Sequence, residues 1–102
     1  MLKLTSYKLI PPNMIERQVT IINERGLHAR ASAKFVTLVA EFEAEITVIK
    51  DGTDVPGASI MSLLMLAAGP GTVLTIQGVG ADAEAAVAAL VALVEDRFGE
   101  EQ

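Results

Sequence analysis

This 102-residue chain has one histidine, His28, and it stands in "GLHARASAKF" (26–35) between Gly26 and Arg30. Neutral imidazole is a nucleophile near pH 7. An arginine two places on adds a planar fork that grips anions. Ser32, Phe35, Val36, Val39 and Phe42 recur at helical spacing, which predicts a helix over 29–42 with His28 at or near its N-cap. The backbone N–H groups of residues 29–31 then lack intrahelical partners, and with the helix dipole they form a site for an anion. Gly26 allows the turn a positive φ, or lets another backbone approach. A cation in a first helical turn is mildly unfavourable, by up to about 1 kcal/mol. Arg30 is therefore placed against local preference, as suits a group that holds an anion. Reversible phosphoryl transfer is the chemistry that uses all of these features. A lone histidine at a helix start also serves as a plain polar cap. Metal binding is poorly supported, with one His and no Cys, and no nucleophile elbow points to a Ser-His-Asp triad.

A second stretch, "SIMSLLMLAA" (59–68), predicts a short helix stopped by Gly69-Pro70-Gly71. Ser59 is a good N-cap. Ile60, Met61, Leu63, Leu64, Met65 and Leu66 are apolar nearly all round, whereas a surface helix needs only one apolar stripe. Some of them should be exposed, and methionine suits a surface that accepts several partners. The plainer alternative is a short, fully buried helix.

The remaining elements must position these two stretches. "ERQVTII" (16–22) predicts a strand with Val19 and Ile21 on one face, and "NERG" (23–26) a turn. "EITVIK" (45–50) alternates as a half-buried strand. Asp51-Gly52 marks a tight hairpin into a short return strand, 53–56. "TVLTIQGV" (72–79) is a further strand. From Asp82, an N-cap candidate, an Ala-rich helix runs to about Phe98 on a stripe of Val87, Leu90, Val91, Val94 and Phe98. The order βαββαβα predicts an α+β fold, with an antiparallel or mixed sheet and all helices on one face. Pro11-Pro12 set off residues 1–14 as a leader, either a flexible arm or a start-site extension, from a domain spanning 15–102.

Composition narrows the function classes. Hydrophobic residues make up 51% of the chain, enough for a core. The absence of cysteine excludes disulfides and thiolate metal sites, and it fits a reducing cytoplasm. The first fourteen residues carry Lys3 and Lys8 and no acid. The rest holds six cations against thirteen acids, which argues against nucleic acid. No apolar run approaches the roughly 18 residues of a membrane span, and the N-terminus lacks the core and cleavage site of a signal peptide.

"GLHAR" followed by "AKFV", "EITV", "SIMSLLML" and "GTVLTI" resembles the HPr family, the histidine-containing phosphocarriers of the phosphoenolpyruvate-dependent phosphotransferase system. The resemblance spans about 16–97, with 31 positions from His28 to Ser59 as in the family. It implies an open-faced β-sandwich, four antiparallel strands covered on one face by three helices. It implies that His28 is phosphorylated on Nδ1 by enzyme I, which draws on phosphoenolpyruvate, and that the group passes on to enzyme IIA proteins or domains. Arg30 matches the family's active-site arginine. Ser59 matches the serine modified by HPr kinase/phosphorylase in many bacteria, with Ser62 a weaker candidate. Ala29, Ala33, Ile60, Met61, Leu64 and Met65 match the partner-docking patch. One departure is Ala31, where the family usually has proline; alanine is a good helix former and restores one N–H. The resemblance implies a cytoplasmic, monomeric carrier in sugar transport or its regulation, without a cofactor or metal of its own. Such a carrier is a substrate turned over by other enzymes. Two other readings stand beside it: a regulatory module of the same fold acting through contacts, as in a nitrogen or carbon regulatory branch, and a small-ligand-binding domain with His28 as one polar contact.

Overall fold

A computed structural model describes residues 14–102; the leader, apart from Met14, lies outside the described residues. The elements are β1 (Met14–Thr20), α1 (Ala29–Val39), β2 (Glu45–Lys50), β3 (Thr53–Pro56), α2 (Ile60–Met65), β4 (Val73–Val79) and α3 (Ala83–Glu95). The four strands form one antiparallel sheet in the order β1-β4-β2-β3. It is the open-faced sandwich that the element order and the resemblance imply.

Alternation in the strands sorts the side chains. Val19, Ile46, Val48, Leu74 and Ile76 are buried on the helix-covered face. They meet Phe35 and Val39 of α1, Leu63 of α2, and Val87, Leu90 and Val94 of α3 in one core. A fully buried aromatic such as Phe35 contributes about 3 kcal/mol. Gly78 on β4 lets α3 close onto the sheet: a Cβ there would lie 2.8 Å from Val87 Cγ2. The β2–β3 hairpin turns through Asp51 (φ 49°) and Gly52 (φ 81°), the two left-handed residues of a two-residue turn that follows strand twist.

Several boundaries differ from the sequence reading, each for a local reason. The strand expected over 16–22 begins at Met14, which pairs with Val79. Ile21 lies past its end but keeps sheet-like bonds: its N–H donates to Thr72 O (2.8 Å) and its C=O accepts from Gly71 N (2.8 Å). Helix α1 stops at Val39, so Phe42 is half-buried in the turn that follows. Helix α2 is shorter than 59–68. Its last turn is closed by Lys50, whose Nζ donates to Leu66 O at 2.8 Å, and the chain then reverses at Ala67 (φ 51°). Asp82 precedes α3 but does not cap it with its side chain. Its two carboxylate oxygens instead accept the N–H groups of Glu43 and Ala44, 2.8 Å each, and so tie the turn before β2 to the start of α3.

The largest difference is at the end of α3. The helix stops at Glu95, and Arg97 (φ 56°) and Phe98 (φ 54°) form a left-handed turn. Such a conformation costs roughly 1–2 kcal/mol at a non-glycine residue. It tucks Phe98 wholly into the core, which offsets that cost, and it turns residues 99–102 back toward the start of α1.

Candidate functional site

Helix α1 starts where the sequence places it. His28 is the N-cap, in extended backbone (φ −77°, ψ −177°), and its C=O accepts the first helical bond from Ser32 N at 2.8 Å. The turn before it depends on Gly26. Its φ is +64°, and a Cβ there would lie 2.5 Å from Ala68 O. That same carbonyl accepts from Leu27 N at 2.9 Å, which pins the loop after α2 to the mouth of α1.

The imidazole is held at both nitrogens. Nδ1 accepts a hydrogen bond from Arg30 N at 3.3 Å. Nε2 faces Oε2 of Glu100 in a short contact. The two side chains are only 14% and 19% exposed, so neither is loosely solvated. The other oxygen of Glu100 accepts from Asn23 Nδ2 at 3.0 Å, and Asn23, fully buried, also donates to Gly26 O at 2.9 Å. Two further bonds hold the tail: Lys34 Nζ to Phe98 O (2.6 Å) and Glu24 N to Gln102 O (2.5 Å). Burial pushes the Glu100 carboxyl up, but hydrogen bonds from His28 and Asn23, with the charges of His28 and Arg25, outweigh it and hold the group below the usual carboxylate range.

Beside this network lies a cleft of about 460 Å³, lined by Glu24, Arg25, Arg30, Lys34 and residues 99–102. Arg30 is exposed and makes no ion pair among the described residues, so its guanidinium is available to an incoming anion. Ala31, in place of the family's proline, is fully buried under the first turn.

The second stretch forms a different kind of surface. Ser59 is the N-cap of α2, and its Oγ accepts from Ser62 N at 3.1 Å. Leu63 is fully buried, Leu64 half-buried, and Ile60, Met61 and Met65 are 39%, 69% and 79% exposed. The fully buried alternative for this helix is therefore excluded. Helices α1 and α2 pack together, and Ala29 is exposed and Ala33 half-buried on α1. No residue of α2 lines the cleft beside Glu100.

Residues 15–96 match the family model of the PTS HPr component phosphorylation site. The phosphocarrier protein NPr of Shewanella violacea is 49% identical over 86 residues, 84% of this chain and 94% of its own. The chain belongs to the HPr family. Two solved structures from Thermoanaerobacter tengcongensis agree. One, HPr-C-His, has a TM-score of 0.83 at 41% identity and covers 86% of this chain and 99% of its own. The other, an HPr dimer, has a TM-score of 0.68 at 41% identity and covers 80% of this chain and 94% of its own. The protein is thus a phosphocarrier of the phosphotransferase system, and its partners are proteins of that system.

Sequence reasoning singled out His28 and Arg30 and missed Asn23 and Glu100. In the sequence Asn23 reads only as part of a turn, and Glu100 lies 72 residues from the histidine it contacts.

Proposed function

We propose that His28 is the phosphoryl acceptor, taking the group on Nδ1 from enzyme I and passing it to enzyme IIA proteins. The observation that supports this most directly is the helix-capping Nδ1, whose lone pair is engaged only by a long bond from Arg30 N. When Nδ1 attacks phosphorus, that N–H is released and can donate to a phosphoryl oxygen, with the dipole of α1 behind it. The Arg30 guanidinium supplies a second grip. The exposed Ile60, Met61 and Met65, with Leu64, Ala29 and Ala33, form the face on which enzyme I and the IIA proteins dock. Ser59 is a regulatory phosphorylation site for HPr kinase/phosphorylase. The carrier domain is residues 15–102, and the cytoplasm is its compartment; among the described residues no helix is long and apolar enough to cross a membrane. We take the chain as a monomer in solution, which sedimentation at several concentrations tests against the dimer described for one structural relative. The exposed apolar helix equally suits a module acting by contacts alone in a regulatory branch, and the transfer assay separates the two.

The deciding experiment is incubation with labelled phosphoenolpyruvate and enzyme I. A phosphohistidine is a phosphoramidate, so the label should be lost in acid and should be absent from His28→Ala. Equal labelling of that variant would remove His28 from the reaction.

A further inference from the structure

We infer that Glu100 is a positioning residue for phosphoryl transfer, selecting the reactive tautomer of His28 and balancing the charge that forms on its ring. The inference rests on the proposed role of His28 and adds a partner from the far end of the chain.

Two neighbours on opposite sides of the ring specify the same protonation pattern. Nδ1 accepts from Arg30 N–H, so it carries a lone pair; Nε2 faces a carboxylate oxygen, so it carries the proton. A histidine in water has no such constraint and populates both neutral tautomers. Glu100 is itself fixed. The fully buried Asn23 amide donates to its second oxygen, and the left-handed turn at Arg97 and Phe98 aims the tail back toward α1. The Asn23 Oδ1 is buried with no hydrogen-bond partner among the described residues, a cost that its two Nδ2 bonds, to Glu100 and Gly26 O, help to offset. A carboxylate held in this way is the kind of support that orients a reacting imidazole.

The step balances without any further reactant. The Nδ1 lone pair forms the N–P bond as the bond from phosphorus to the donor breaks, and that electron pair leaves with the donor. The ring keeps its Nε2 proton and becomes an N-phosphoryl imidazolium. Glu100 accepts a hydrogen bond from that proton and offsets the positive charge. Onward transfer returns the N–P pair to Nδ1 and restores a neutral ring, which is a good leaving group. Because Nε2 is on the far side of the ring from Nδ1, the carboxylate serves the proton without occupying the phosphoryl position.

Glu100→Gln tests this, because one amide oxygen must replace two carboxylate oxygens that serve two donors. The expected result is a wild-type ring whose ¹⁵N shifts in the neutral form show protonated Nε2 and bare Nδ1, and a mixture of tautomers in the variant. Transfer from phosphorylated enzyme I should slow on the order of tenfold, through kcat with KM unchanged, the scale of one charge-assisted hydrogen bond. Glu84→Gln, the same charge change on the exposed first turn of α3, should transfer normally. A wild-type ring protonated mainly at Nδ1 would overturn the inference before any variant is made, and so would wild-type kcat in Glu100→Gln. Absence of label from the wild-type His28 would instead defeat the proposed function, so the two failures are distinguishable.

Discussion

The mouths of α1 and α2 are built by the same device and surrounded by opposite chemistry. Each begins with an extended N-cap whose side chain accepts a first-turn N–H, His28 from Arg30 at 3.3 Å and Ser59 from Ser62 at 3.1 Å. Neither has an acid in its first turn. Around His28 stand Arg25, Arg30, Lys34 and the Glu100 carboxylate; around Ser59 stand the exposed Ile60, Met61 and Met65. Helix capping alone therefore distinguishes no function. What the first mouth adds is an imidazole held at both nitrogens with cations beside it; what the second adds is exposed apolar area.

The largest effect that separates them should come from Arg30→Ala. The guanidinium has no ion pair to lose within the described residues, so thermal unfolding should be unchanged. Single-turnover transfer should slow about 10- to 100-fold, since a positioned cation on developing phosphoryl charge is worth roughly a few kcal/mol. A wild-type rate would leave the two mouths different only in the identity of the cap.

Phosphate on Ser59 should have a smaller effect, of a different kind. It would place roughly two negative charges beside the apolar face that a partner must bury. The expected outcome is His28 labelling slowed about tenfold at sub-saturating protein, with recovery at saturation and no change in melting. Kinase-treated protein is the proper sample, because Ser59→Asp carries a single charge in another geometry. If the modified protein labels as fast as the unmodified one, Ser59 is only a cap. If it labels slowly because it has melted, the docking explanation fails.

The two mouths also differ in how much of them can be read locally. Both caps, the Asp51-Gly52 turn and strands β2 and β3 follow from short patterns, because their causes lie within a few residues. The apolar excess of α2 likewise implies that some of its side chains are exposed, and Ile60, Met61 and Met65 are the ones that are. Phe98 shows the limit. It falls four places after Val94, as a helical stripe requires, yet it is buried by a left-handed turn that only the core's shape explains. Asp82 has the residue type of a cap and instead ties down Glu43 and Ala44. Asn23 and Glu100 meet across 77 positions, so no window of local sequence contains their pairing.

The smallest effect is one of stability against pH, and only the α1 mouth should show it. Burial tends to raise the Glu100 pKa, but the hydrogen bonds from His28 and Asn23 and the charges of His28 and Arg25 prevail, so its folded value lies below the ordinary 4.5. A depressed carboxyl stabilises the fold fully above its unfolded value, and the contribution fades as pH falls through the folded one. The other charges on the cleft, Glu24, Arg30, Lys34 and Glu101, set the background against which this is read. The difference in melting temperature between wild type and Glu100→Gln should therefore be present at about pH 5 and shrink below 4.5, as Glu100 itself becomes neutral. Ser59 carries no titrating group, so the loss from Ser59→Ala, about 1 kcal/mol for a missing cap, should persist unchanged through the same range. A Glu100→Gln difference that stays level to pH 3 would mean that the tail is held by its backbone bonds to Lys34 and Glu24 rather than by its carboxylate. The α1 mouth would then lose the ionised partner that sets it apart from the mouth of α2.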